Sequence, residues 1–129
     1  MTATALQIGS LRPPRVYIVQ EPLYKDRRGQ LKEKFSLEAA KEFGDLCMVL
    51  NWSDPHELDA RRMLWKARTA LRDFRADDYL LMVGNPTAMA IVAVVAAEMT
   101  DGHLQLLYWD NKPPGSYRVD LVNFHAQPL

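Results

Sequence analysis

The chain has 129 residues, 48% hydrophobic and 25% charged, with 16 Lys and Arg against 16 Asp and Glu. That length suits one domain able to bury a two- or three-layer core, and the formal net charge of +0 excludes a global field that would recruit nucleic acid or an anionic membrane. The lone cysteine, Cys47, excludes a disulfide framework and a cysteine-based metal cage, and a reducing cytoplasm suits it.

Residues 1–14 are small and polar and close on Pro13-Pro14, which predicts a mobile arm; they lack the cationic start and apolar run of a secretory signal. A single domain is expected over residues 15–125, with a tail at 126–129. RVYIVQ, rich in β-branched and aromatic residues, predicts the first strand, stopped by Pro22. The polar stretch LYKDRRGQLKEKF carries a turn signal at Asp26 to Gly29 and forms either a long exposed loop or a small hairpin. Ser36 is placed to cap a helix over LEAAKEF, with Gly44 as its left-handed terminal residue.

DLCMVLN predicts a second buried strand, with Cys47 inside it. Ser53 or Asp54 then caps a helix with Pro55 at its first position, and the pattern runs to about Phe74 as the longest helix. YLLMVG is a third strand. NPTAMAIVAVVAAEM is a helix capped by Asn85 and ended by the Asp101-Gly102 turn. Because Gly84-Asn85-Pro86 interrupts the apolar run from Leu80 to Ala97, no membrane span is expected. HLQLLYWD and SYRVDLVNF, joined by NKPPG, should pair as an antiparallel hairpin. The sum is a three-layer α/β fold: a mixed sheet of about five strands, the first three parallel, and about three helices. It is Rossmann-like only in layer order.

Two surfaces are candidates for function. The turn VGNPTA lies after a strand and before a helix, where α/β folds hold anions, so Gly84, Asn85 and Thr87 would contact a nucleotide or small anion there. Against this, GxGxxG and GxxxxGK[ST] are both missing, Pro86 removes a donor, and each residue already has a folding reason. The helix that follows is apolar on nearly every face, which calls for burial between sheet and helix or against a second subunit. A homodimer, through that helix or the terminal hairpin, is the expected assembly.

The second surface is the long helix. At 100° per residue Met63, Leu64, Ala67, Ala70, Leu71 and Phe74 fall on one arc, facing the core. Arg61, Arg68, Arg72 and Arg75 fall on another with Trp65 beside them, a pattern that suits a protein partner or nucleic acid, or a plain solvated face. Lys25, Arg27, Arg28, Lys32 and Lys34 form a second basic cluster. His56, His103 and His125 lack metal-ligand spacing, GxSxG is missing, and Glu21 and Asp54 suit turns and caps as well as acid chemistry. The residues therefore point to no catalytic group, metal or cofactor, and the leading reading is a small binding or accessory protein using the arginine face. A nucleotide- or anion-binding domain, with enzymatic activity as an option, is the alternative.

Overall fold

The structure, a computed structural model, describes residues 12–128. Residues 1–11, most of the expected arm, and Leu129 of the expected tail lie outside that range. The elements run β1 (Arg15–Gln20), β2 (Leu23–Lys25), β3 (Leu31–Glu33), a 3-10 helix (Glu38–Glu42), β4 (Asp45–Leu50), α1 (Asp54–Glu57), α2 (Ala60–Ala70), β5 (Tyr79–Leu81), α3 (Pro86–Met99), β6 (His103–Asp110) and β7 (Ser116–Asn123).

Five strands form one sheet in the order β4-β1-β5-β6-β7. The first four of these are parallel and β7 returns antiparallel to β6, so the expected α/β fold with a mixed sheet and terminal hairpin is present. The polar stretch after β1 is a hairpin rather than a loop: β2 pairs with β3 around Asp26, whose carboxylate accepts from the N–H groups of Arg28 and Gln30 at 2.8 and 2.9 Å.

Period-two alternation sorts β1 between two apolar layers. Tyr17 and Val19 face α2 and α3, joining Met63, Ala67, Leu71, Phe74, Ala88, Val92, Val95 and Ala96. Val16 and Ile18 face the other way, with Leu81 and Leu107, and are covered by Phe35, Leu37, Phe43 and Tyr117 from the hairpin, the 3-10 segment and β7. Both long helices thus lie on one face of the sheet and pack on each other. α3 also leaves Val94 and Met99 exposed. At 14 residues it is the longest helix among those described, and none is long and apolar enough to cross a membrane.

Four expectations need correction. The helix from Asp54 to Phe74 is broken: Leu58 is extended (φ −105°, ψ 140°) and turns toward the core, and Asp59 caps a fresh helix by accepting from the Arg62 N–H at 2.9 Å. This makes α2 shorter than α3. The LEAAKEF helix is a 3-10 helix of five residues. Its Gly44 has φ 157°, outside the left-handed helical well, and is needed because a Cβ would run into the Pro14 carbonyl. Cys47 is half-buried, because β4 is an edge strand with solvent on one flank; burial still pushes its thiol pKa upward.

One carboxylate ties these layers together. Asp78 is fully buried and accepts from the Arg12 guanidinium at 2.8 and 3.2 Å, the Arg15 N–H at 2.8 Å and the Arg75 N–H at 2.9 Å. Two stretches of chain, residues 12–15 and 75–78, converge on it. The hydrogen bonds to Asp78 raise the Arg12 pKa. Removing one partner of a buried ion pair leaves the other uncompensated, so Asp78→Ala should lower unfolding free energy by about 3–5 kcal/mol in denaturant titrations.

Burial, with a smaller contribution from the Glu33 charge, pushes the Tyr117 phenol up to about 12 from 10.0. Its hydroxyl donates to the Ser36 carbonyl at 2.8 Å. The folded chain therefore keeps a proton that the unfolded chain releases near pH 10, so this contribution to stability is complete below about pH 10 and lost as pH rises through about 12. Stability should fall across that window, and Tyr117→Phe should flatten the fall when unfolding is measured at each pH.

Candidate functional site

Helix α2 presents the expected stripe because its opposite arc is used up by the core: Met63 and Ala67 are buried, Leu64 and Ala70 half-buried. Arg61 and Arg68 on α2 are exposed, with Trp65 between them 73% open to solvent, whereas Arg72 is exposed on the turn beyond the helix, which ends at Ala70 rather than near Phe74. Asp59, Arg61, Arg62, Leu64 and Arg68 surround the indole on one side. On the other, the surface continues over Leu58, Lys66 and Thr69 to Met48 on the exposed edge of β4. Arg62 and Met48 are thus additions to the stripe. Met48 comes from a different strand, so helical periodicity could not find it.

The arginines are not equivalent. Arg68 Nη2 lies 3.8 Å from a Glu98 carboxylate oxygen, a loose surface contact. Arg75 is drawn away into the Asp78 network: its guanidinium donates to the Arg12 carbonyl at 2.6 Å and pairs with Asp77 at 2.9 Å. Arg61, Trp65 and Arg68 therefore make the accessible stripe on α2, Arg72 is exposed on the turn that follows, and Arg75 is anchored beyond it.

The strand-end crevice has a different character. Gln20, at the last position of β1, is buried and reaches both ways: its Oε1 accepts from the Asn85 N–H at 2.7 Å and its Nε2 donates to the Trp52 carbonyl at 2.8 Å. Asn85 in turn accepts from the N–H groups of Thr87 and Ala88 at 2.9 and 3.2 Å. Pro86 has no N–H. The amides of Asn85, Thr87 and Ala88, which a helix start would offer an anion, already have internal acceptors. Gly84, with φ 110°, lies so close to Gln20 that an added Cβ would collide with its Oε1 and sit 2.6 Å from its Cβ.

What remains is a pocket of about 220 Å³ lined by Gln20, Glu21, Lys34, Trp52, His56 and Asn85, among others. Ligand sites generally need about 300–1,000 Å³. Trp52 is held there by the Glu21 carboxylate, which accepts its N–H at 3.3 Å, and has the Lys25 ammonium 5.4 Å from its ring centre. Lys25 and Lys34 of the second basic cluster thus belong to this rim. Asp54 accepts from the Asn51 N–H at 2.7 Å and pairs with Lys66, so both acids near the strand ends fasten the turn into α1. His103 and His125 lie at β6 and beyond β7. Among the described residues, no group of three His, Cys, Asp or Glu side chains converges on a metal position.

A family model described as phage Pam3 gp32-like protein matches residues 14–122. The chain belongs to the phage Pam3 gp32-like family. The match spans the whole main sheet to within one residue of the end of β7, and includes both Gln20 and the α2 stripe. No curated protein and no solved structure gives a significant match.

Gln20 and Asp78 escaped the reading of the sequence. A weak signal existed for each: Gln20 is the one polar residue closing an apolar run, and Asp78 directly precedes a strand. Gln20→Ala should cost about 1–3 kcal/mol, because the Asn85 N–H and the Trp52 carbonyl lose their partner. Gly84→Ala should also destabilise, and Gln20→Ala should not rescue it, since the Gln20 Cβ remains in the way. Denaturant unfolding of the two single variants and the double variant checks this.

Proposed function

We propose that this chain is a small, non-catalytic phage accessory protein that engages an acidic protein surface through the Trp65 face of α2. The observation carrying this reading is the Trp65 indole, 73% exposed among arginines and apolar side chains. An indole left in water adds nothing to the core. Seated in a partner's pocket it becomes an anchor, and Trp and Arg are the residue types that dominate interface energetics.

A protein partner fits this face better than nucleic acid. Phosphate binding draws its affinity from a sustained cationic surface. Here Arg68 is near Glu98, Arg75 is committed to Arg12 and Asp77, and the chain has no net charge to spare. Met48 and Leu64 beside the indole add apolar area that a phosphate backbone would not use. The alternative, a nucleotide or anion at Gly84, Asn85 and Thr87, is disfavoured by the internal acceptors on that turn's amides and by the Gln20 bridge.

Trp65→Ala, and the triple change Arg61→Gln, Arg68→Gln and Arg72→Gln, should each keep unfolding free energy within about 0.5 kcal/mol of wild type, because none of these side chains enters the core. Affinity for the captured partner should fall about thirtyfold or more for Trp65→Ala, the loss expected of a central anchor. If immobilised wild-type protein instead retains single-stranded DNA at low salt, and the arginine changes lower its salt sensitivity, the face binds nucleic acid and the protein-partner reading is wrong.

A further inference from the structure

The free edge of β7 has a backbone and side-chain pattern that matches itself. β7 ends the main sheet, and its register against β6 is unbroken from Ser116 to Asn123. In an antiparallel ladder, successive residues point their N–H and C=O groups alternately toward one neighbour and the other. Phe124 donates its N–H to the Gly102 carbonyl at 3.0 Å, which continues the register and fixes the phase: even-numbered residues of β7 are bonded to β6. The opposite side of β6 agrees, since the Leu107 carbonyl accepts from the Met82 N–H at 2.8 Å and so faces β5. Tyr117, Val119 and Leu121 therefore direct their backbone groups to the open edge.

We propose that two copies of the chain join antiparallel through β7, with the twofold axis at Val119, making one continuous sheet. In this register Val119 faces its own copy and Tyr117 faces Leu121 of the second chain. All three positions hold outward backbone groups, so about six hydrogen bonds form across the join. Arg118 falls opposite Asp120 of the second copy, and Asp120 opposite its Arg118, at the non-hydrogen-bonded positions where side chains come closest. Within its own chain Arg118 lies 3.5 Å from Asp110 and is more than half exposed; Asp120 has no ion pair among the described residues.

Neighbouring registers fail. Centring on Tyr117 sets Arg118 against Ser116 and Asp120 against Pro114; centring on Leu121 sets them against Phe124 and Val122. Centring on Arg118 or Asp120 still pairs outward backbone groups, but it sets that charge directly against its own copy, a like-charge contact that disfavours the register. Exposed edges are often guarded by charges of one sign, which repel a second copy. Alternation of Arg118 and Asp120 does the reverse, and the stripe of Val119 and Leu121 on the other face, the latter 76% exposed, gains cover from the pairing.

The test is association measured by sedimentation equilibrium on the full chain. Wild type should sediment as a dimer at high micromolar concentration. Arg118→Asp and Asp120→Arg each place like charges opposite one another twice, and each should weaken association about tenfold or more. The double variant Arg118→Asp with Asp120→Arg recreates both pairs in reverse and should regain the dimer. Since Arg118→Asp and the double variant share the same contact with Asp110, comparing these two isolates the pairing across the join. Val119→Pro removes an outward N–H while leaving every bond to β6, and should yield monomer. A monomeric wild type, a dimer indifferent to the single reversals, or a double variant no tighter than Arg118→Asp would each overturn the proposal.

Discussion

Burying a carboxylate without water is costly, and the fold is organised around meeting that cost at Asp78. Its four hydrogen bonds come from Arg12 and the first residue of β1 on one side and from the turn after α2 on the other, two stretches about sixty residues apart in the chain. A half-satisfied version would be worse than none, because an uncompensated buried charge costs several kcal/mol. The site therefore fixes where β1 and β5 begin together. Since the two strands are parallel neighbours, it also fixes where their other ends stop. The crevice at those far ends is bridged by Gln20, at the opposite end of the strands from Asp78.

At that crevice the protein departs from the habits of its architecture. Open α/β sheets hold ligands outside the carboxyl ends of their strands. Here the position is bridged by Gln20, which joins the turns after β4 and β5 across the end of β1. The recognition surface proposed above lies instead on the solvent side of α2, where nothing in the core depends on the side chains displayed. This division leaves the stripe free to vary in chemistry while the sheet stays intact.

Local signals carried most of the fold. Runs such as RVYIVQ and HLQLLYWD alternate or stay apolar over strand length, and Asn85-Pro86 and Asp101-Gly102 mark helix boundaries by side-chain and backbone chemistry that acts within a few residues. Non-local facts were illegible. Nothing in DLCMVL says that the strand sits at an edge, so Cys47 looked more buried than it is. The break at Leu58 was hidden because Asp54-Pro55 starts a helix convincingly and the apolar period resumes after Asp59. The accessible stripe is legible as a helical arc up to Arg68, but the periodicity hides both the end of α2 at Ala70 and the Arg12 carbonyl that draws Arg75 away.

Trp65 carries a further consequence for the protein before it meets anything. A bare indole on a soluble surface invites stacking against the same residue on another molecule. Arg61, Arg62 and Arg68 outnumber Asp59 around it, so two identical α2 faces approach against mutual repulsion, as gatekeeper residues do beside an adhesive segment. Under the proposed function the arginines would act twice: they would discriminate against self-contact in the free protein, and they would reward only a surface that brings the opposite charge.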